Sequence, residues 1–177
     1  MTTKGLVPLI LVLTVAGPAL AEVKSAAPNG FEVASMATIS APADRVYSAL
    51  GEVGRWWNPS HTFSRDAANL SIELRAGGCF CERLKDGGSV QHLQVVYVAP
   101  GEGLCLRGAL GPLQMEGVDG TLSWALKPVE GGTSVTQSYV VGGYIRSGME
   151  NWAHKVDGVL HEQLERLRRF VEAKPLG

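Results

Sequence analysis

Residues Asn69–Gly88 read NLSIELRAGGCFCERLKDGG, and their spacing decides the fold class. Leu70, Ile72 and Leu74 alternate with Ser71, Glu73 and Arg75 until Gly77-Gly78 interrupts them. Phe80, Glu82 and Leu84 then resume the alternation up to Lys85-Asp86-Gly87-Gly88. A period of two on both sides of residues that tolerate positive φ is the pattern of consecutive antiparallel strands joined by tight turns. The pattern continues toward the C-terminus through Val90–Val98, Leu104–Leu110, Leu122–Lys127 and Val135–Val141. Pro100-Gly101, Gly111-Pro112 and Glu130-Gly131-Gly132 part these runs. Six strands are therefore predicted between residues 69 and 143.

Upstream, Phe31, Val33, Ser35, Ala37 and Ile39 form one further alternating run. The period then changes. Ser40-Ala41-Pro42 is a helix-entry signal, with Val46, Leu50 and Val53 following at helical spacing. A second short helical turn is expected around Arg55-Trp56-Trp57, before Asn58-Pro59 ends it. From Asn151 a long amphipathic helix is predicted, with Trp152, Val156, Leu160, Gln163, Leu167 and Phe170 as its inward stripe and Pro175 as its stop. The expected fold class is α+β: a curved antiparallel sheet of about seven strands wrapped around a long C-terminal helix, with two short helices after the first strand. Such a helix lies across the concave face while the short helices hold the other end of the sheet away, which leaves an internal cavity.

The chain has 177 residues, 45% apolar and 19% charged, with Lys+Arg 16 against Asp+Glu 17 and a net charge of −1. That composition is globular, and it lacks the clustered basic residues that binding a phosphate backbone requires, so no nucleic-acid partner is expected. At the N-terminus, Lys4 precedes the apolar run Leu6–Ala16, and Ala19-Leu20-Ala21 supplies small residues where a signal peptidase reads. Residues 1–21 are accordingly read as a cleaved secretory signal peptide. The run is too short to span a bilayer, so no stable membrane insertion is expected after cleavage. Residues 22–30 (EVKSAAPNG) read as a flexible leader, residues 31–172 as the single domain, and residues 173–177 as a tail.

Export places the cysteines in an oxidising compartment, but their number is three. Cys79 and Cys81 are two apart on one predicted strand, which puts regular strand positions about 6.5–7 Å apart, long for a disulfide. All three thiols are expected to remain unpaired within the monomer. No set of residues at zinc-ligand spacing accompanies them. On the last helix His154, Asp157 and His161 share a face that lies away from the apolar stripe, and this is read as a solvated face.

The segments Ala41–Leu50 (APADRVYSAL), Arg55–Pro59 (RWWNP) and Glu73–Phe80 (ELRAGGCF) resemble, in order and spacing, those of the helix-grip superfamily. That superfamily includes START lipid-transfer domains, birch-type pollen allergens, polyketide cyclases and heat-shock-protein ATPase activators. The likeness is nearest to the activator-like branch and covers nearly all of Phe31–Val171. It implies a helix-grip ligand-binding domain with a pocket for an apolar molecule. The secretory leader departs from the mostly cytosolic activators, so the fold and pocket carry over and a chaperone role does not.

Candidate site residues follow from the predicted concave face. Trp56 and Trp57 form an aromatic lip near the cavity mouth, with Phe63 close by and Trp152 on the closing helix. Phe80, Glu82, Tyr97, Trp124, Gln137 and Tyr139 are expected to face inward. A one-residue slip would instead turn Glu73, Arg75, His92, Gln94 and Arg107 toward the cavity. Neither a nucleophile elbow nor a phosphate-binding glycine loop is present, so no catalytic residue, metal or other cofactor is assigned. The expected function is binding of a small hydrophobic or aromatic ligand, lipid or polyketide-like, without covalent change. The alternative is a polyketide cyclase/dehydratase-like enzyme, in which a buried Glu82 beside Tyr97 or Tyr139 does acid–base chemistry. The sequence does not fix the oligomeric state.

Overall fold

The computed structural model describes residues 20–173. Most of the expected signal segment, residues 1–19, and the tail after residue 173 lie outside the described residues. The order of elements is β1 (Leu20–Ala27), β2 (Gly30–Ile39), α1 (Ala43–Gly51), β3 (Leu70–Ile72), β4 (Cys79–Arg83), β5 (Ser89–Ala99), β6 (Gly103–Arg107), β7 (Gly117–Val129), β8 (Gly132–Tyr144) and α2 (Met149–Ala173). Single 3-10 turns occur at Val53–Arg55, Pro59–His61, Ala67–Asn69, Lys85–Gly87 and Gly111–Met115. All eight strands form one antiparallel sheet in the order β1-β2-β8-β7-β6-β5-β4-β3.

The α+β class, the curved sheet and the long closing helix are as the alternation predicts, but the sheet has an eighth strand. Residues 22–30, expected as a flexible leader, contribute most of β1 and the turn after it, and β1 pairs with β2 from Leu20↔Met36 to Ala27↔Gly30. The segment carries almost no periodic signal of its own. It is ordered because β2 would otherwise present an open row of backbone donors and acceptors, and pairing satisfies that row. Among the residues of β1 whose side chains are described, Val23 packs against the core.

The β3–β4 connection shows why that stretch needs two glycines. Gly77 adopts a left-handed φ of 78°, and a Cβ on Gly78 would stand 2.3 Å from the Glu73 carbonyl oxygen. Their backbones instead meet β5, where the Gly77 N–H donates to the Val95 carbonyl and the Val95 N–H to that of Gly78, each at 2.8 Å.

Two irregularities in β5 set the inward face of the sheet. Phe80 pairs with Leu93 but Cys81 pairs with Gln91, so His92 is an extra residue in the ladder. Val95 pairs with Leu106 but Tyr97 with Cys105, which makes Val96 a second. Each bulge changes the parity of the strand. His92 and Leu93 therefore both face inward, while Tyr97, expected inside, is 57% exposed on the outer face. Opposite the first bulge, the Cα atoms of Cys79 and Cys81 lie 5.3 Å apart and the two residues form a disulfide. The regular-strand spacing that argued for three free thiols does not hold at a bulge. Cys105 remains free and half-buried, and burial raises its thiol pKa.

Helix α2 divides into two halves. Its C-terminal half buries Leu160, Leu164, Leu167 and Val171 completely, and the helix packs on β1, β2 and β8 as well as α1. Its N-terminal half carries Trp152, Val156 and Val159, which are only half-buried and border open space between the helix and the middle of the sheet. Among the described residues no helix is long and apolar enough to cross a membrane.

Candidate functional site

That open space is a cavity of about 400 Å³, within the range of small-molecule sites. Three elements wall it: the N-terminal half of α2, the segment Trp57–Phe63, and the Leu110–Leu113 turn, with Phe80, His92 and Tyr139 as the sheet floor.

The Trp56–Phe63 segment is irregular, and side chains from both sides hold it. From α2, Arg166 donates to the Trp56 carbonyl at 2.7 Å, Gln163 accepts from the Asn58 N–H at 2.8 Å, and Glu162 accepts from the Asn58 amide at 2.5 Å. From the sheet, the buried Glu82 carboxylate accepts from the Phe63 N–H at 3.1 Å and from the Ser64 N–H. Gln163, expected in the apolar stripe of α2, is thus a buried polar clamp.

The two adjacent indoles divide their tasks. Trp56 is 2% exposed, donates to the Ala49 carbonyl at 2.8 Å and anchors α1, outside the cavity wall. Trp57 lines the cavity and donates to the His61 carbonyl at 3.1 Å. From Trp56 a continuous row of rings runs to the surface. Its centroid separations are 5.6 Å to Trp57, 5.6 Å on to Phe80, 5.3 Å to His92 and 5.9 Å to Phe63, the last pair stacked with planes 14° apart. Phe63, 43% exposed, ends the row.

Of the ten residues expected to contact a ligand, Trp57, Phe63, Phe80, Tyr139 and Trp152 lie in the cavity wall. Trp56, Glu82, Trp124 and Gln137 are buried behind it, and Tyr97 is outside. Gln137, with its amide turned so that donors meet acceptors, donates to the Leu160 carbonyl at 2.8 Å and accepts from Trp124 Nε1 at 2.9 Å. It therefore ties α2 to the sheet. Tyr139 accepts from the Leu110 N–H and donates to the Gly108 carbonyl, both at 2.9 Å, and burial raises its pKa. Its hydroxyl is occupied in positioning the Leu110–Leu113 wall.

Glu82 meets neither tyrosine. Its side-chain partner is His92, whose Nε2 lies 2.9 Å from the carboxylate; the two side chains are 0% and 4% exposed. Burial alone would raise the Glu82 pKa, but hydrogen bonds from Ser64, Phe63 and His92 outweigh it and hold the carboxyl below its ordinary range. Burial also depresses the His92 pKa, and the hydrogen bond and charge of Glu82 restore only part of it. The result is a neutral imidazole beside an ionised carboxylate. A carboxylate only accepts, so Nε2 carries the proton and Nδ1 keeps its lone pair. Nδ1 is buried and has no partner in the protein. Sequence reasoning placed His92 inward only under a slip of the whole strand, because a bulge has no period-two signature.

The helix face bearing His154, Asp157 and His161 is not fully solvated. Strand β1 covers part of it, and Asp157 is bonded by the Glu22 amide, with its pKa raised by burial. Among the described residues no group of three His, Cys, Asp or Glu side chains is placed to hold a metal ion.

The family model for polyketide cyclase / dehydrase and lipid transport proteins matches residues 30–172. The chain belongs to that family. A search of curated proteins finds no match. Among solved structures, family-type folds recur at low identity. An uncharacterised protein from Rhizobium leguminosarum is 17% identical with a TM-score of 0.57, over 89% of this chain and 100% of that one. CalU16 from Micromonospora echinospora is 16% identical with a TM-score of 0.57, over 89% and 88%. The Aha1 dimer from Colwellia psychrerythraea is 18% identical with a TM-score of 0.54, over 80% and 96%. These likenesses show the helix-grip fold that this family member shares with cyclase-like and Aha1-like proteins. They single out no branch.

Proposed function

We propose that this family member is an exported binding domain that holds a small apolar or aromatic molecule, lipid or polyketide-like, in the cavity between the sheet and α2 without changing it covalently. The cavity itself carries the reading: about 400 Å³ of mostly apolar wall, with the Tyr139 hydroxyl and the Trp57 indole N–H already bonded to backbone carbonyls. Native mass spectrometry of the purified protein is expected to find a small molecule bound one to one, or, after delipidation, saturable binding of 1-methylnaphthalene read by tryptophan fluorescence. Absence of both would overturn the reading.

A cyclase/dehydratase-like activity is the second reading, and the Glu82–His92 pair favours it, since a buried neutral imidazole oriented by a carboxylate is equipped to accept a proton. Turnover of a bound ligand, lost in Glu82→Gln, would establish it over simple binding.

Export rests on the Lys4, Leu6–Ala16 and Ala19-Leu20-Ala21 pattern. N-terminal sequencing of the exported chain is expected to begin at Glu22; a chain still beginning at Met1 would refute export by cleavage.

A further inference from the structure

The cleavage point expected from the sequence and the contact between β1 and α2 fall on one residue. A cut after Ala21 would begin the exported chain at Glu22. In the uncut chain Glu22 lies inside the edge strand β1, opposite Ala34 of β2. Strand β1 also packs against α2, and the Glu22 backbone N–H donates to the Asp157 carboxylate. The nitrogen that a cut would turn into a free amine is therefore already a donor to a carboxylate. That carboxylate is short of donors. Its Oδ1 is buried without a hydrogen-bond partner, and burial raises the Asp157 pKa although the charges of His161 and His154 and the Glu22 amide act to lower it. The Glu22 side chain, whose charge acts the other way, is exposed and paired with Lys24. A buried carboxylate oxygen with no donor is costly, and native interiors rarely keep one without a role. An amide nitrogen brings one donor and no charge, whereas an α-ammonium brings three donors and a positive charge to the same place.

We infer that Asp157 is the docking site of the mature N-terminus: once residues 1–21 are removed, the α-ammonium of Glu22 ion-pairs with the Asp157 carboxylate and fastens β1 to α2. This inference rests on the export reading, with its cut after Ala21, and adds a structural consequence of that cut. In the cut itself a signal peptidase hydrolyses the Ala21–Glu22 peptide bond. Water gives its hydroxyl to the Ala21 carbonyl and a proton to the Glu22 nitrogen, and the new amine takes up a further proton below its ordinary pKa of about 7.7–8.0. The pairs Leu20↔Met36 and Ala21↔Ser35 leave with the leader, so the ion pair holds the end of a strand shortened by two residues. The uncut chain cannot form it, because its Glu22 nitrogen is an amide.

Two chains test this, each with and without Asp157→Asn. One is the exported protein beginning at Glu22. In the other a single initiator methionine replaces residues 1–21, which moves the ammonium one residue away from Asp157. In urea denaturation at pH 7, Asp157→Asn is expected to lower the folding equilibrium constant about tenfold in the chain that begins at Glu22, the effect of one charge-assisted hydrogen bond. In the methionine-extended chain the loss should be no more than about twofold. The second readout is the α-amino group itself. A neighbouring anion favours its charged form, so by nitrogen-15 NMR it should titrate above the ordinary range of about 7.7–8.0 in the folded exported chain and return to that range in Asp157→Asn. An α-amino group titrating in the ordinary range, or an equal loss from Asp157→Asn in both chains, would overturn the inference and leave export standing. An exported chain that begins at a residue other than Glu22 would also overturn it, and one still beginning at Met1 would overturn export by cleavage with it.

Discussion

Replacing Glu82 by Ala is expected to destabilise the fold by about 3–5 kcal/mol, the cost of removing one partner from a buried charged network. Three donors lose their acceptor at once: the Phe63 amide, the Ser64 amide and His92 Nε2. Two of them belong to the irregular segment that walls the cavity, so the loss falls on the site before it falls on the sheet. In urea denaturation the midpoint should drop by on the order of 2 M, given typical slopes for small domains. Glu82→Gln keeps one acceptor oxygen and should lose less. A change under about 1 kcal/mol in Glu82→Ala, typical of a surface substitution, would show that the carboxylate does not hold the segment. The pair also shapes the acid limb of stability. His92 has a depressed pKa in the folded protein, so the unfolded chain takes up its proton first, and stability falls as pH drops through the ordinary histidine range near 6.5. Glu82 is depressed as well, so its contribution is full above its unfolded value and is lost at lower pH, as the medium passes its folded value. Acid destabilisation should therefore come in two stages, and His92→Phe should lack the earlier one.

Trp57→Ala carries the second large effect, on ligand binding. The indole lines the cavity, and losing it together with the wall it supports is of order 2 kcal/mol, or about thirtyfold weaker binding of 1-methylnaphthalene. Because Trp57 is also 3% exposed and packs edge-on against Phe80, the same change costs about 3–5 kcal/mol in stability. Trp57→Leu fills part of the gap and separates the two effects: the fold should largely survive while affinity still falls about tenfold. Trp56→Phe is the contrast. It loses the bond to the Ala49 carbonyl, at a cost of about 1 kcal/mol, and leaves affinity unchanged. Equal affinity losses at Trp56 and Trp57 would refute the division of labour between the two rings.

The strands from β2 to β8 and the closing helix were legible because each carries a strong period of two or 3.6 over many residues. Strand β1 was not, since its order comes from the edge of β2 rather than from its own side chains. Half of the expected ligand contacts reached the cavity wall, among them Tyr139, where the alternation of β8 runs unbroken. The misplacement of Tyr97 and the missed role of His92 trace to the β5 ladder. The bulge at Val96 turned Tyr97 outward, and the bulge at His92 supplied the polar group that Glu82 pairs with, opposite the Cys79–Cys81 disulfide. A bulge is a local irregularity set by pairing with a neighbouring strand, and period-based reading is blind to it.

The position of His92 as a surplus residue in β5 separates the container from its chemistry. With His92 removed, Gln91 and Leu93 would lie next to each other opposite Cys81 and Phe80, giving an uninterrupted ladder with Leu93 and Val95 still facing inward. The ladder does not need this residue, although Glu82 would lose its side-chain partner without it. A single-codon deletion or insertion at this point would remove or add an imidazole on the inward face, with no change in the register of the other strands. In a scaffold of this kind, new interior chemistry can arise by changes in length rather than by substitution.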